Sequence, residues 1–226
     1  MTSRQVDHAW EIVSIVGTDG AGKSTLTKAL ASRSSRTDRP LRRIDRWDII
    51  DSSEYPASHF ITASVDETRA VVAELPGPTR FLFLAWSTAY ALLGQLPDQN
   101  SDFLLDGYWM KHGAAEVAYG QRAEWVESVT AVLPRPHLTI FLRVEPEVAW
   151  QRKASGDIVP YECAMDPSCS QESFISHQRA LLKILDEWAI KYGWIIVDGD
   201  QSADAILSEV EVLISERRNR YAGEIV

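Results

Sequence analysis

The chain has 226 residues and a formal net charge of -9 at pH 7. That length fits one α/β domain with a full core and is short for two, and the acidic balance argues against a nucleic-acid polymer as partner. Two cysteines, Cys163 and Cys169, make no disulfide framework. Residues Met1 to Gln5 lack a signal-peptide apolar region, and the apolar stretch Phe81 to Leu96 is interrupted and too short to span a bilayer, so a cytoplasmic protein without membrane contact is expected.

The first predicted strand, Ile12 to Val16, runs into Gly17-Thr18-Asp19-Gly20-Ala21-Gly22-Lys23-Ser24-Thr25 and then a helix from Lys23 to Arg33. Gly17, Gly20 and Gly22 let such a loop curl so that backbone N–H groups, those of Asp19 and Ala21 among them, face phosphate oxygens at a helix N-terminus. The pattern GxxxxGK[ST] assigns Lys23 to the β- and γ-phosphates of ATP and the hydroxyl of Ser24, ahead of Thr25, to Mg²⁺. Arginines then cluster at positions 33, 36, 39, 42, 43 and 46, as a positive patch or a solvated helix end.

Strand-like runs follow at Leu41 to Trp47, Phe103 to Leu105, Leu138 to Val144 and Trp194 to Val197. Helical spacing marks Phe81 to Leu93, Glu124 to Leu133, Glu147 to Arg152, Phe174 to Tyr192 and Ala203 to Arg217. Alternation of this kind predicts a parallel sheet covered by helices on both faces, with its ligand crevice beyond the carboxyl ends of the strands. The third strand ends in Asp106, which is placed to order Mg²⁺ or to take a proton from an acceptor hydroxyl, and which also suits a cap. Arg152 and Lys153 stand at the mouth of a polar stretch, about residues 152–172, that reads as a mobile lid within a single domain spanning 1–226. As catalytic cations they would neutralise a transferring phosphoryl group; a helix C-terminus also favours them. Cys163, Asp166, Cys169 and His177 are a loosely spaced candidate zinc set.

The P-loop, Asp106-x-Tyr108, the Glu145-Pro146-Glu147-Val148-Ala149-Trp150-Gln151-Arg152 segment and the ending Ile195-Ile196-Val197-Asp198-Gly199 resemble the thymidylate kinase family in order and spacing over nearly the whole chain. The resemblance implies a five-stranded parallel sheet, ATP with Mg²⁺, and γ-phosphoryl transfer to a nucleoside monophosphate. It assigns Asp19 to the acceptor sugar hydroxyl, Phe83 to stacking on the acceptor base and Arg46 to the acceptor phosphate, with Ser87 and Tyr108 on the same side. It also implies a possible homodimer through helices such as Phe81 to Leu93. Two departures fall at the acceptor end, where the family carries arginine and this chain has Gly107 and Ser87. Lys111, His112 or Arg80 are the candidates to compensate. The aromatic load of Trp47, Trp86, Tyr90, Tyr108 and Trp109, with Asp45, Asp48 and Asp51, fits core packing or an acceptor that is larger, less phosphorylated or partly cationic. Three functions therefore stand open: a nucleoside monophosphate kinase, the same donor chemistry on a modified nucleoside or specialised metabolite, and a nucleotide-dependent switch or binding protein.

Overall fold

The computed structural model describes residues 10–95, 101–153 and 158–224. Residues 1–5, the end of the apolar stretch at 96 and the lid positions 154–157, on which expectations fell, lie outside them. The elements run β1 (Ile12–Val16), α1 (Lys23–Ser34), β2 (Leu41–Ile44), α2 (Val65–Glu74), α3 (Gly77–Leu93), β3 (Asp102–Asp106), α4 (Met110–Ala118), α5 (Ala123–Thr130), β4 (Leu138–Arg143), α6 (Pro146–Lys153), α7 (Gln171–Tyr192), β5 (Ile195–Asp198) and α8 (Ala203–Glu224). The strands form one all-parallel sheet in the order β2-β3-β1-β4-β5.

Alternate residues of each strand point to opposite faces, which divides the core in two. Ile12, Val16, Phe103, Leu105 and Phe141 pack with Phe81, Ala114, Leu182 and Trp188 from α3, α4 and α7. Val13, Ile15, Leu104, Ile140 and Leu142 pack with Leu26, Leu30, Ile206 and Val210 from α1 and α8. Because the sheet is parallel, the P-loop, Arg46, Asp106, the start of α6 and Gly199 all emerge at one edge.

Several expected boundaries shift for local reasons. The second strand stops at Ile44 because Asp45 caps a 3-10 turn (Arg46–Ile50): its carboxylate accepts from the Trp47 N–H at 3.1 Å, and Asp48 accepts from the Asp45 N–H at 2.8 Å. Within the stretch expected as a mobile lid, the described residues carry local structure. Arg152 and Lys153 finish α6, Pro160–Cys163 forms a 3-10 turn with Glu162 and Cys163 buried, and α7 begins at Gln171 behind the Ser170 cap.

Candidate functional site

Close backbone packing explains the P-loop glycines. A Cβ on Gly17 would come within 2.7 Å of the Leu142 carbonyl oxygen, and one on Gly20 within 2.7 Å of that of Ala149. Gly22 caps α1 at φ 91 in the left-handed region, leaving the first turn of the helix facing the loop. Lys23 folds back to donate to the Thr18 carbonyl at 2.7 Å, and burial, partly opposed by Asp19, lowers its pKa to about 8.

Asp106 is 6% exposed. Its Oδ2 accepts from Arg43 Nη2 at 2.8 Å and from the Thr27 hydroxyl at 3.3 Å. Burial would raise its pKa, but Arg43, Lys23 and a hydrogen bond from Ser24 hold it below the ordinary value. A carboxylate kept ionised beside the Ser24 hydroxyl, at the foot of a loop whose Gly22 meets open space, fits an Mg-nucleotide. The donor set is oxygen, which suits Mg²⁺. Arg43, read from the sequence only as part of a positive patch, is thus a site residue; it also bonds Asp45 at 2.9 Å.

Asp19 joins the P-loop to α4. Its Oδ1 lies 2.8 Å from the buried Lys111 Nζ, and Gln178, fully buried on α7, accepts from the Asp19 N–H at 3.0 Å. Burial would raise the Asp19 pKa, yet Lys111 and Lys23 together hold the carboxyl well below the usual carboxylate range. Gln178 Nε2 also donates to the Glu162 carbonyl at 2.9 Å, tying the loop to the Pro160–Cys163 turn. In that turn the Tyr161 ring lies 5.5 Å from Lys111 Nζ, and the Tyr161 hydroxyl is buried without a partner. Neither Gln178 nor Tyr161 was flagged by sequence reasoning; a polar residue on an otherwise apolar helix face was the only available signal for Gln178.

The remaining predicted residues divide. Arg46 comes to the site: its Nη2 and the Lys23 Cε each lie 3.6 Å from where a Cβ on Gly107 would stand, and its Nε is buried without a partner. Lys111 and His112 arrive beside it on α4, each 7% exposed. Arg80 does not: it forms a buried pair with Glu116 and donates to the Ala73 and Leu75 carbonyls at 3.0 Å each. Ser87 is fully buried and donates to the Leu84 carbonyl of its own helix. The Tyr108 hydroxyl is spent on the Pro134 carbonyl at 2.9 Å. Phe83 is half-buried against Trp86, within an aromatic row that continues to Phe60 and Tyr90. Arg152 donates to the Gly199 carbonyl at 2.8 Å, whereas Lys153 pairs with Glu162 and is the α6 cation whose charge reaches Asp19.

The candidate zinc set does not assemble. Among the described residues no group of three or more His, Cys, Asp or Glu side chains could hold a metal ion, and the His177 ring instead packs at a tilt against Tyr119, centroids 4.9 Å apart. Among the same residues no helix is long and apolar enough to cross a membrane.

No protein-family model matches the chain. It is 25% identical over 204 residues to a thymidylate kinase of Schizosaccharomyces pombe, covering 90% of this chain and 91% of that protein. A probable thymidylate kinase of Pyrobaculum aerophilum is 24% identical over 211 residues, 89% of this chain and 95% of its own. A probable thymidylate kinase 2 of Saccharolobus solfataricus is 26% identical over 129 residues, 54% of this chain and 61% of its own.

Proposed function

We propose that this chain, a thymidylate kinase-like phosphotransferase, moves the γ-phosphoryl group of ATP onto a nucleoside monophosphate such as dTMP. The observation that carries the substrate assignment is the Asp19–Lys111 pair at 2.8 Å, which links the nucleotide loop to acceptor-side side chains within one buried network.

Catalysis of phosphoryl transfer is mainly positioning and charge stabilisation. The P-loop amides and Lys23 hold the donor phosphates, with Lys23 released from the Thr18 carbonyl when phosphate oxygens offer a better acceptor. Ser24 and Asp106 would hold Mg²⁺, which supplies charge neutralisation across the donor phosphates when bound. Asp19 orients the acceptor hydroxyl, with Lys111 fixing its rotamer. Arg46 takes the acceptor phosphate, and Phe83 with its aromatic neighbours offers a face to the acceptor base. The Lys153–Glu162 pair holds the α6 cation near Asp19, where it, rather than Arg152, is placed to screen the transferring group.

The replacement of two acceptor-side arginines by Ser87 and Gly107 favours a second reading, the same chemistry on a non-standard acceptor. ADP release measured across nucleosides, nucleoside monophosphates and amino sugars separates them. Selective turnover of dTMP, lost in Lys23→Ala, supports the first. Turnover confined to an unphosphorylated acceptor supports the second, and acceptor-independent ATP hydrolysis stimulated by a protein partner would assign a switch.

A further inference from the structure

The chain's two cysteines, which the chemistry above leaves unused, are brought together between the Pro160–Cys163 turn and α7. The segment doubles back through two successive tight turns: the Asp166 N–H donates to the Cys163 carbonyl at 3.0 Å, and the Cys169 N–H to the Asp166 carbonyl at 3.1 Å. The Ser168 N–H, bonded to the Asp166 carboxylate at 2.9 Å, tightens the second turn. Cys163 is fully buried in the cluster that includes Ala149 and Phe174, and the half-buried Cys169 packs against that same cluster. There the two thiols are hydrogen-bond neighbours. Three residues of this segment other than glycine have positive φ: Ala164 at 55°, Met165 at 65° and Cys169 at 44°. Such backbone is unfavourable for L residues, persists only where the surroundings hold it, and gathers at switch regions.

The segment starts where the turn is fastened to the nucleotide loop. Gln178 Nε2 donates to the Glu162 carbonyl at 2.9 Å, while its Oε1 accepts from the Asp19 N–H at 3.0 Å. The Tyr119 hydroxyl donates to the Tyr161 carbonyl at 2.6 Å, and Lys153 pairs with Glu162. For Tyr161 and Glu162 to leave the P-loop, the residues between the cysteines must uncoil. Extended, the segment reaches about 20 Å, whereas a disulfide limits the two Cα atoms to about 7 Å.

We propose that Cys163 and Cys169 are a redox pair, oxidised to an intramolecular disulfide by a small-molecule disulfide of the glutathione class, and that the bond locks the Pro160–Cys163 turn onto the P-loop. The pair stands on the geometry alone; its effect on nucleotide exchange rests on the kinase reading. Cys169, the partly exposed thiol, reacts first. Its thiolate attacks one sulfur of oxidised glutathione and releases one glutathione thiolate, leaving a mixed disulfide. Cys163 then gives up its proton, and its sulfur attacks the Cys169 sulfur and displaces the second glutathione thiolate. Two electrons pass from the two cysteines to one oxidised glutathione, and the two cysteine protons end on the two glutathione thiols formed. Burial pushes the Cys163 thiol up to about 12, with Cys169 beside it adding to the shift, so Cys163 is inert toward outside reagents and the second step is the slow one.

The test uses the full chain in glutathione buffers from reduced to oxidised, quenched with acid and N-ethylmaleimide. Trypsin cuts after Lys153 and Arg179, so one peptide, 154–179, carries both cysteines. The expected result is a peptide two hydrogens lighter and unalkylated from oxidised buffer, and a doubly alkylated one from reduced buffer. Hydrogen exchange should show the amides of Glu162 and Met165, bonded to the Val159 and Pro160 carbonyls at 2.8 Å each, exchanging about tenfold more slowly in the oxidised protein. Stopped-flow release of a fluorescent Mg·ADP analogue should slow by about the same factor, and dithiothreitol should restore both rates. In Cys169→Ser, checked by urea unfolding, oxidant changes neither rate; in Cys163→Ser, oxidation stops at a glutathione adduct on Cys169. Thiols that stay alkylatable in fully oxidised buffer, a wild type that stops at the glutathione adduct, a disulfide between two chains, or an intramolecular disulfide that leaves turn exchange unchanged overturns the proposal. None of those results touches ADP release with an acceptor, on which the kinase reading stands, whereas a disulfide that slows turn exchange in a protein that binds no Mg·ADP sinks the kinase reading alone.

Discussion

Arg80 separates a structural cation from a ligand-binding one. Its Nε and Nη2 bond the two oxygens of Glu116 at 2.5 and 3.1 Å, its Nη1 caps α2 through the Ala73 and Leu75 carbonyls, and the two side chains are 7% and 0% exposed. Removing one member of a buried pair leaves an uncompensated charge, at a cost of about 3–5 kcal/mol. Two orphaned carbonyls add roughly 1 kcal/mol each, although water can reach some of the freed space. Arg80→Met should therefore lose about 5 kcal/mol, a large part of an ordinary domain's ~5–15 kcal/mol. Arg80→Lys, which keeps the charge but not the fork, should lose about half of that. The double variant Arg80→Met with Glu116→Met should recover most of the loss, because no buried charge is left unpaired. Urea unfolding with linear extrapolation measures all three, and the acceptor KM of the folded Arg80→Lys protein should equal that of the wild type. A loss under about 1 kcal/mol in Arg80→Met, or a raised acceptor KM in Arg80→Lys at unchanged stability, would refute the structural assignment.

Gly20→Ala should abolish nucleotide binding by calorimetry while Gly22→Ala, whose Cβ meets nothing within 4 Å, should retain the fold and lose about 1 kcal/mol of stability to its left-handed φ. His177, whose pKa burial lowers to about 4, must gain a proton on unfolding below pH 6.5. Stability should consequently fall by up to about 1.4 kcal/mol per pH unit from pH 6.5 toward 4, and His177→Phe should flatten that slope in urea titrations while keeping the contact with Tyr119. Lys23, with its pKa near 8, must be protonated to hold phosphate, so nucleotide affinity should be flat below pH 8 and fall above it, by up to about tenfold per unit, whereas Lys23→Arg should show no such fall before pH 10.

The P-loop half of the candidate site was legible because its demands are local. Gly17, Gly20 and Gly22 answer to backbone packing and φ, and Asp106 ends a short apolar strand, so consecutive residues carry the signal. The half built from α2, α3 and α4 was less so. α4 escaped detection because Lys111, His112 and Glu116 are buried polar residues on a helix that faces the site and Arg80, which erases the apolar period. α2 was announced by the Ser64-x-x-Glu67 capping box, where Ser64 and Glu67 exchange hydrogen bonds, and its short apolar face hid that signal. Arg80 and Ser87 could be placed near an acceptor by spacing alone, but only side-chain partners reveal that both are already engaged.

The central claim is tested most directly by ³¹P NMR of the full chain with Mg·ATP and dTMP. The account predicts stoichiometric appearance of ADP and the β-phosphorus signal of dTDP, with neither formed by Lys23→Ala. Formation of ADP with free inorganic phosphate and no new diphosphate, or undiminished dTDP formation by Lys23→Ala, would contradict it.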